Sequence, residues 1–306
     1  MSRDSFPSDP RENEPSFDRT HVRPTDSSRA RDPQERESRN ELQSDRRANR
    51  CLKPENEDHP RAYELGRRTF LLRESEAQAL ADLGTFRVVA ATDLSDYAYS
   101  GNAPRMEKEL RHLERKGLVV ERTLPTSGQN SLRVVGLTKL GKRLLRSTNL
   151  LADNQAVYHG IVKPREAKHD TELYRLFHAE ASRIESAGGR PLRVILDYEL
   201  KRHLNREREP LGERRNDARE IATLAERHGL AVVNGKIPLP DLRIEYQTAD
   251  LELSHIDVEL ATRHYRPRGV AEKALAGFAL YGPREDATRL RRILAGQELT
   301  ARIFAL

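Results

Sequence analysis

Tryptophan is absent from the 306-residue chain, cysteine occurs once and methionine twice. The single cysteine, Cys51, can build neither an intrachain disulfide nor a cysteine-based zinc site, which fits a reducing compartment. No run approaches the roughly 18 consecutive apolar residues of a membrane-spanning helix, and the charged first residues lack the apolar core of a signal peptide. A cytoplasmic protein with no membrane partner is therefore expected. The ten histidines show no HExxH or other paired-ligand spacing, no G-x-S-x-G elbow occurs, and no glycine-rich loop ends in Lys-Ser or Lys-Thr. Zinc-peptidase, serine-hydrolase and P-loop chemistry thus have no support in the motifs.

Apolar residues are also scarce, at 36%, and the deficit is concentrated in one place. Residues 1–60 hold only Phe6 and Phe17 as aromatics among dense Arg, Asp, Glu, Ser, Asn and Pro. Such a segment buries too little to offset chain entropy, so a disordered charged tail is expected over 1–60. The net charge of +6 favours polyanionic partners without selecting one.

What is present begins after the tail. Over 73–86, Ala77, Leu80, Ala81 and Leu83 recur at helical spacing, with Gly84 read as the helix end. Thr92 and Asp93 offer a cap for a short helix over 94–97, and Ser100-Gly101-Asn102 a turn into a third helix over 104–116, with Pro104 in its first turn. In that third helix Met106, Leu110 and Leu113 make one apolar stripe. Arg105, Lys108, His112 and Arg115 make a basic one, with Arg111 and Lys116 beside it. Gly117 ends the helix. Two strands follow, over 118–121 and 132–135, around a turn-rich stretch, with Arg122 and Arg133 at their flanks, and then a closing helix over 138–146. This order reads as a winged helix-turn-helix domain over 61–150, whose basic residues meet double-stranded DNA. The alternative is a protein-binding winged helix.

A linker is expected over 151–168 and a second, α/β domain over 169–306. It contains a helix from Thr171, a strand over 192–196, a helix through 221–227, and strands over 241–246 and 254–261. A last helix carries Val270, Ala274, Phe278 and Tyr281 on one face. In the second of these strands, over 254–261, Ile256, Val258 and Leu260 face one way, and Asp257, Glu259 and Ala261 the other. Pro240-Asp241 entering one strand and Glu259 ending the next resemble the PD-(D/E)xK nuclease pattern. That resemblance implies a restriction-endonuclease-like domain with a mixed sheet, with Asp241 and Glu259 holding Mg²⁺. The pattern's Lys is replaced by Ala261, so a non-catalytic domain is favoured over a Mg²⁺-dependent endonuclease. Lys273 is the candidate for the missing ammonium, and Glu172 or Glu199 for a further carboxylate. Arg263, His264, Arg266 and Arg268 form a basic cluster suited to secondary phosphate contacts.

Taken together, the segments 71–86, 140–147, 240–246, 257–269 and 271–281 resemble the replication-relaxation family of bacterial mobile elements, over roughly residues 65–285. The resemblance implies a winged helix-turn-helix joined to a restriction-endonuclease-like domain, and a role in plasmid or integrative-element replication, relaxation or mobilisation. It matches the family's C-terminal pattern with Glu259, Thr262, Lys273 and Tyr281. DNA binding needs no cofactor in this reading. A relaxase or replication protein is the second expected partner, recruited in the adaptor or regulator variant of the reading. The oligomeric state is left open, a homodimer included.

Overall fold

The computed structural model describes residues 59–125, 131–152, 154–161, 164–261 and 265–305. All but the last two residues of the expected tail lie outside these, as do 126–130 of the turn-rich stretch and Thr262, Arg263 and His264. The described residues belong to one unit, Asp58–Leu306.

The first element escapes helical periodicity because it is a two-stranded ribbon. β1 (Arg61–Leu65) pairs antiparallel with β2 (Arg68–Leu72). Gly66 takes φ +61° in the two-residue turn, a conformation that favours glycine. Phe70 and Leu72 point inward onto α1 (Glu74–Thr85) and its neighbours. Gly84 is the last but one residue of α1, close to the expected end, and a Cβ there would overlap Leu145 Cδ2, so the glycine also permits close packing. The chain turns at Arg87, φ +57°.

A two-residue strand, β3 (Val89–Ala90), leads into α2 (Ala91–Ala98), which starts from Ala90 and not from the expected Thr92-Asp93 cap. Asp93 is instead buried and bonded to Arg175 Nε at 2.8 Å. After Ser100 and Gly101, both at positive φ, Asn102 Oδ1 accepts from Arg105 N at 3.0 Å and caps α3 (Ala103–Arg115). Gly117, φ +71°, closes it. β4 (Val119–Pro125) and β5 (Ser131–Leu137) then pair antiparallel, with β3 on the far edge of β5. Thr138 caps α4 (Lys139–Arg146), whose Gly141 presses on the Leu118 carbonyl.

The stretch expected as a linker is packed. Tyr158 N donates to Gly84 O and Gly160 N to Leu137 O, both at 2.7 Å. The Gln155 side-chain amide pairs with both backbone groups of Val194, at 2.8 and 3.0 Å. α5 (Pro164–Ser186) begins well before Thr171. β6 (Arg190–Leu196) follows, then α6 (Asp197–Arg208), a 3₁₀ segment (Glu209–Asn216) and α7 (Ala218–Arg227).

β7 (Leu242–Gln247), β8 (Leu253–Leu260), α8 (Pro267–Leu275), β9 (Ala279–Gly282), α9 (Arg284–Ala295) and β10 (Ile303–Ala305) complete the chain. The sheet is mixed, in the order β10-β9-β8-β7-β6: β6, β7 and β8 run antiparallel in sequence, while β8, β9 and β10 are parallel. Parallel neighbours require crossovers, supplied by α8 and α9. The helix expected through Tyr281 is cut at Gly277, φ +83°, and Phe278 leads into β9, all four of whose residues are buried. Val258, Glu259, Leu260 and Ala261 are likewise all buried, because β8 is central and covered on both faces. One apolar cluster runs from Phe70 and Leu83 through Leu173, Tyr174 and Leu176 to Val258 and Tyr281. No helix among the described residues is long and apolar enough to cross a membrane.

Candidate functional site

Two places collect the residues singled out above. The first is α3, which advances 100° per residue and so sorts its side chains by position. Met106, Leu110 and Leu113 are buried as expected, and Glu109 is buried with them. Arg105 and His112 lie at the margin of that face and turn back to the fold. Arg105 Nε binds Glu109 Oε1 at 3.0 Å and its Nη2 binds Ser75 Oγ at 2.9 Å, while His112 Nδ1 contacts the buried Glu76 of α1. Lys108, Arg111 and Arg115 occupy the centre of the exposed face. Among the described residues no carboxylate lies within ion-pair distance of them; the two guanidinium Nε atoms donate to carbonyls one turn back. Lys116, half-buried, is the C-cap, and Arg122 is exposed on β4.

Arg133 is held within the fold. It grips Glu107 of α3 and Glu121 of β4 together, with Nη2 to Glu107 Oε2 at 2.9 Å and both Nε and Nη2 to Glu121 at 2.6 Å. These bonds raise the Arg133 guanidinium further and hold the Glu107 carboxyl below its ordinary range. The grip ties the hairpin to α3 and leaves Arg133 fewer donors for a phosphate.

The second place is the head of β7. The antiparallel register pairs Leu242 with Val258, which brings Asp241 beside Glu259. Asp241 Oδ2 accepts from Leu260 N at 2.9 Å, and Glu259 Oε2 accepts from Asp241 N at 3.2 Å. Lys273 reaches in from α8: Nζ stands 2.8 Å from Glu259 Oε1 and donates to Leu239 O at 2.5 Å. Asp241, Glu259 and Lys273 therefore converge. Ala261 packs instead with Val270, Ala274 and Leu290, a site without partners for an ammonium, so the amine near Glu259 comes from the helix.

Two further residues join the cluster that no spacing announced. Tyr265 OH donates to Glu259 Oε1, and His169 Nε2 of α5 lies 3.5 Å from Asp241 Oδ1. The bond to Asp241 raises the His169 imidazole to about 9, against burial. Burial pushes the fully enclosed Glu259 carboxyl up to about 7, Asp241's charge adding and Lys273 opposing. Glu172 lies one turn along α5 from His169. Glu199 is elsewhere, bonded to Arg193 at 2.5 Å and Tyr158 at 3.2 Å, and Tyr281 OH donates to Glu180. Arg266 is exposed at the start of α8, and Arg268 pairs with Glu272 at 3.2 Å.

This donor set, as arranged, does not fit Mg²⁺. Each oxygen of Glu259 accepts a bond, Asp241 Oδ2 accepts another, and His169 faces Oδ1, so cationic and N–H donors stand where a metal would. Among the described residues no three His, Cys, Asp or Glu side chains are grouped to hold a metal ion.

The raised His169 gives a signed pH dependence. A folded-state pKa above 6.5 means its stabilisation is complete below about 6.5 and disappears as pH rises through about 9. Buried Glu259 acts in the same direction at lower pH, since its neutral form is the one the fold favours. In urea denaturation, the stability difference between wild type and His169→Gln should shrink from pH 6.5 to 9; a constant difference contradicts the pairing.

No family model matches the chain, and no curated protein matches it either.

Proposed function

We propose that the chain is a double-stranded DNA-binding protein of a bacterial plasmid or integrative element, acting in its replication, relaxation or mobilisation. The observation that carries DNA binding is the exposed trio Lys108, Arg111 and Arg115, unpaired among the described residues on a helix fixed by its opposite face. The order α2, turn, α3 and β4–β5 hairpin supports reading the N-terminal part as a winged helix-turn-helix, with α3 in the major groove. The mixed sheet and its strand order support a restriction-endonuclease-like second part. The setting on a mobile element rests on the sequence resemblance, as does a relaxase or replication protein as second partner.

A Mg²⁺-dependent nuclease aimed by the same helix is the second reading, favoured by the convergence of Asp241, Glu259 and Lys273. Because the arranged donors do not fit Mg²⁺, it requires Lys273 and Tyr265 to leave Glu259 and His169 to leave Asp241. Purified protein incubated with supercoiled plasmid and Mg²⁺ separates the two. Retarded, uncut plasmid is the expected result. Nicking that disappears in Asp241→Ala and Glu259→Ala would overturn the non-catalytic reading.

A further inference from the structure

The α4 sequence, expected only to close the N-terminal part, carries Lys139, Lys142, Arg143 and Arg146 at i, i+3, i+4 and i+7, opposite the buried Gly141, Leu144 and Leu145. Arg202 and Arg206 are exposed one turn apart on α6. Among the described residues, none of these six cations has a carboxylate within ion-pair distance. Lys142 lies within electrostatic reach of both Arg146 and Arg202, whose charges, after burial, lower its amine, and burial followed by Lys142, Lys139 and Arg146 lowers the His159 imidazole. Next to them a cleft of about 740 Å³ opens between α6 and the 3₁₀ segment, lined by Arg202, Asn205, Arg206 and Asn216 among others, with Glu209 as its carboxylate.

Like charges gathered in this way oppose folding, and among the described residues no carboxylate pairs with them. We infer that the α4–α6 surface is a second contact for the phosphate backbone of duplex DNA, separate from α3. Duplex DNA fits better than a single small anion. The α4 cations alone extend over about 10 Å of helix, and Arg202 of α6 adds a charge within reach of Lys142, whereas a duplex presents one negative charge per about 1.7 Å. The inference shares its ligand with the proposed function and depends on different residues.

The test uses the full chain and fluorescence anisotropy with two duplexes, one of about one helical turn and one of about four. The variant is Lys142→Gln, Arg146→Gln, Arg202→Gln and Arg206→Gln combined; an unchanged melting temperature shows that it folds. For wild type the slope of log K against log salt should steepen on the long duplex by about 0.9 per added phosphate contact. The quadruple variant should lose this increment and keep wild-type affinity for the short duplex. A variant lacking Lys108, Arg111 and Arg115 should weaken on both. If only the quadruple variant weakens, the α3 reading fails while the second contact stands. An unchanged quadruple variant, a slope independent of duplex length, or competition by inorganic phosphate that is equal on both duplexes overturns the inference.

Discussion

Replacing Arg243 with alanine is expected to destabilise the chain by about 3–5 kcal/mol, the range for breaking one side of a buried ion pair. Arg243 is the second residue of β7, opposite Asp257 of β8, and both side chains are nearly enclosed, at 7% and 9% exposure. Its fork makes two bonds to that carboxylate, at 2.6 and 2.7 Å. The remaining donors bind His228 O at 2.5 Å and Gly229 O at 3.0 Å, at the C-terminal end of α7, where the helix dipole is negative. Alanine would strand a carboxylate and two carbonyls in a dry site and detach α7 from the sheet. Arg243→Lys should recover only part of the loss, because an ammonium cannot reproduce the planar fork. Arg243→Met combined with Asp257→Leu should recover most of it, since no buried charge is left unpaired. Urea denaturation measures all three, and a loss below about 1 kcal/mol for Arg243→Ala would show that the pair is already solvated.

Removing Lys108, Arg111 and Arg115 together by alanine substitution is expected to weaken duplex binding on the order of 100-fold. Three contacts at the lower end of about 1–3 kcal/mol each amount to roughly 3 kcal/mol. The fold should be unaffected, because these side chains are exposed and lack intramolecular ion partners among the described residues. Arg105→Ala and His112→Ala should behave in the opposite way. Their partners Glu109 and Glu76 are buried, so these substitutions should lower stability more than affinity. Equal effects of the two groups on binding would contradict the division of α3 into a docking face and an exposed face.

That division was only half legible in the sequence. The apolar spacing of Met106, Leu110 and Leu113 located the buried face, and Asn102, Pro104 and Gly117 bounded the helix to within a residue. The basic stripe was broader than the exposed face, because Arg105 and His112 are drawn inward by two buried glutamates, one of them 36 residues earlier. Buried carboxylates leave no trace in hydrophobic periodicity. The same blindness affected β9: Val270, Ala274, Phe278 and Tyr281 keep a helical rhythm, and a strand buried on both faces shows no alternation. Gly277 was the available clue. In the carboxylate cluster, Asp241 and Glu259 were readable from two alternating strands and their likeness to the nuclease pattern, and it is the antiparallel register that brings them together. Lys273 was guessed as the nearest amine on the following helix, and the parallel crossover brings it there. His169 had no local signal, since it arrives from a helix 72 residues before its partner.

Crosslinking tests most directly whether α3 meets DNA. Pro104 is exposed in the first turn of that helix, the end that contacts base edges when such a helix enters the major groove. Leu275 is exposed at the end of α8, away from α3 in the sequence and in the other half of the fold. A photoreactive side chain placed at position 104 should crosslink to duplex DNA, and one placed at position 275 should not. Crosslinking at 275 alone, or at neither position under conditions where the protein binds the duplex, would contradict the assignment of α3 as the DNA-binding helix.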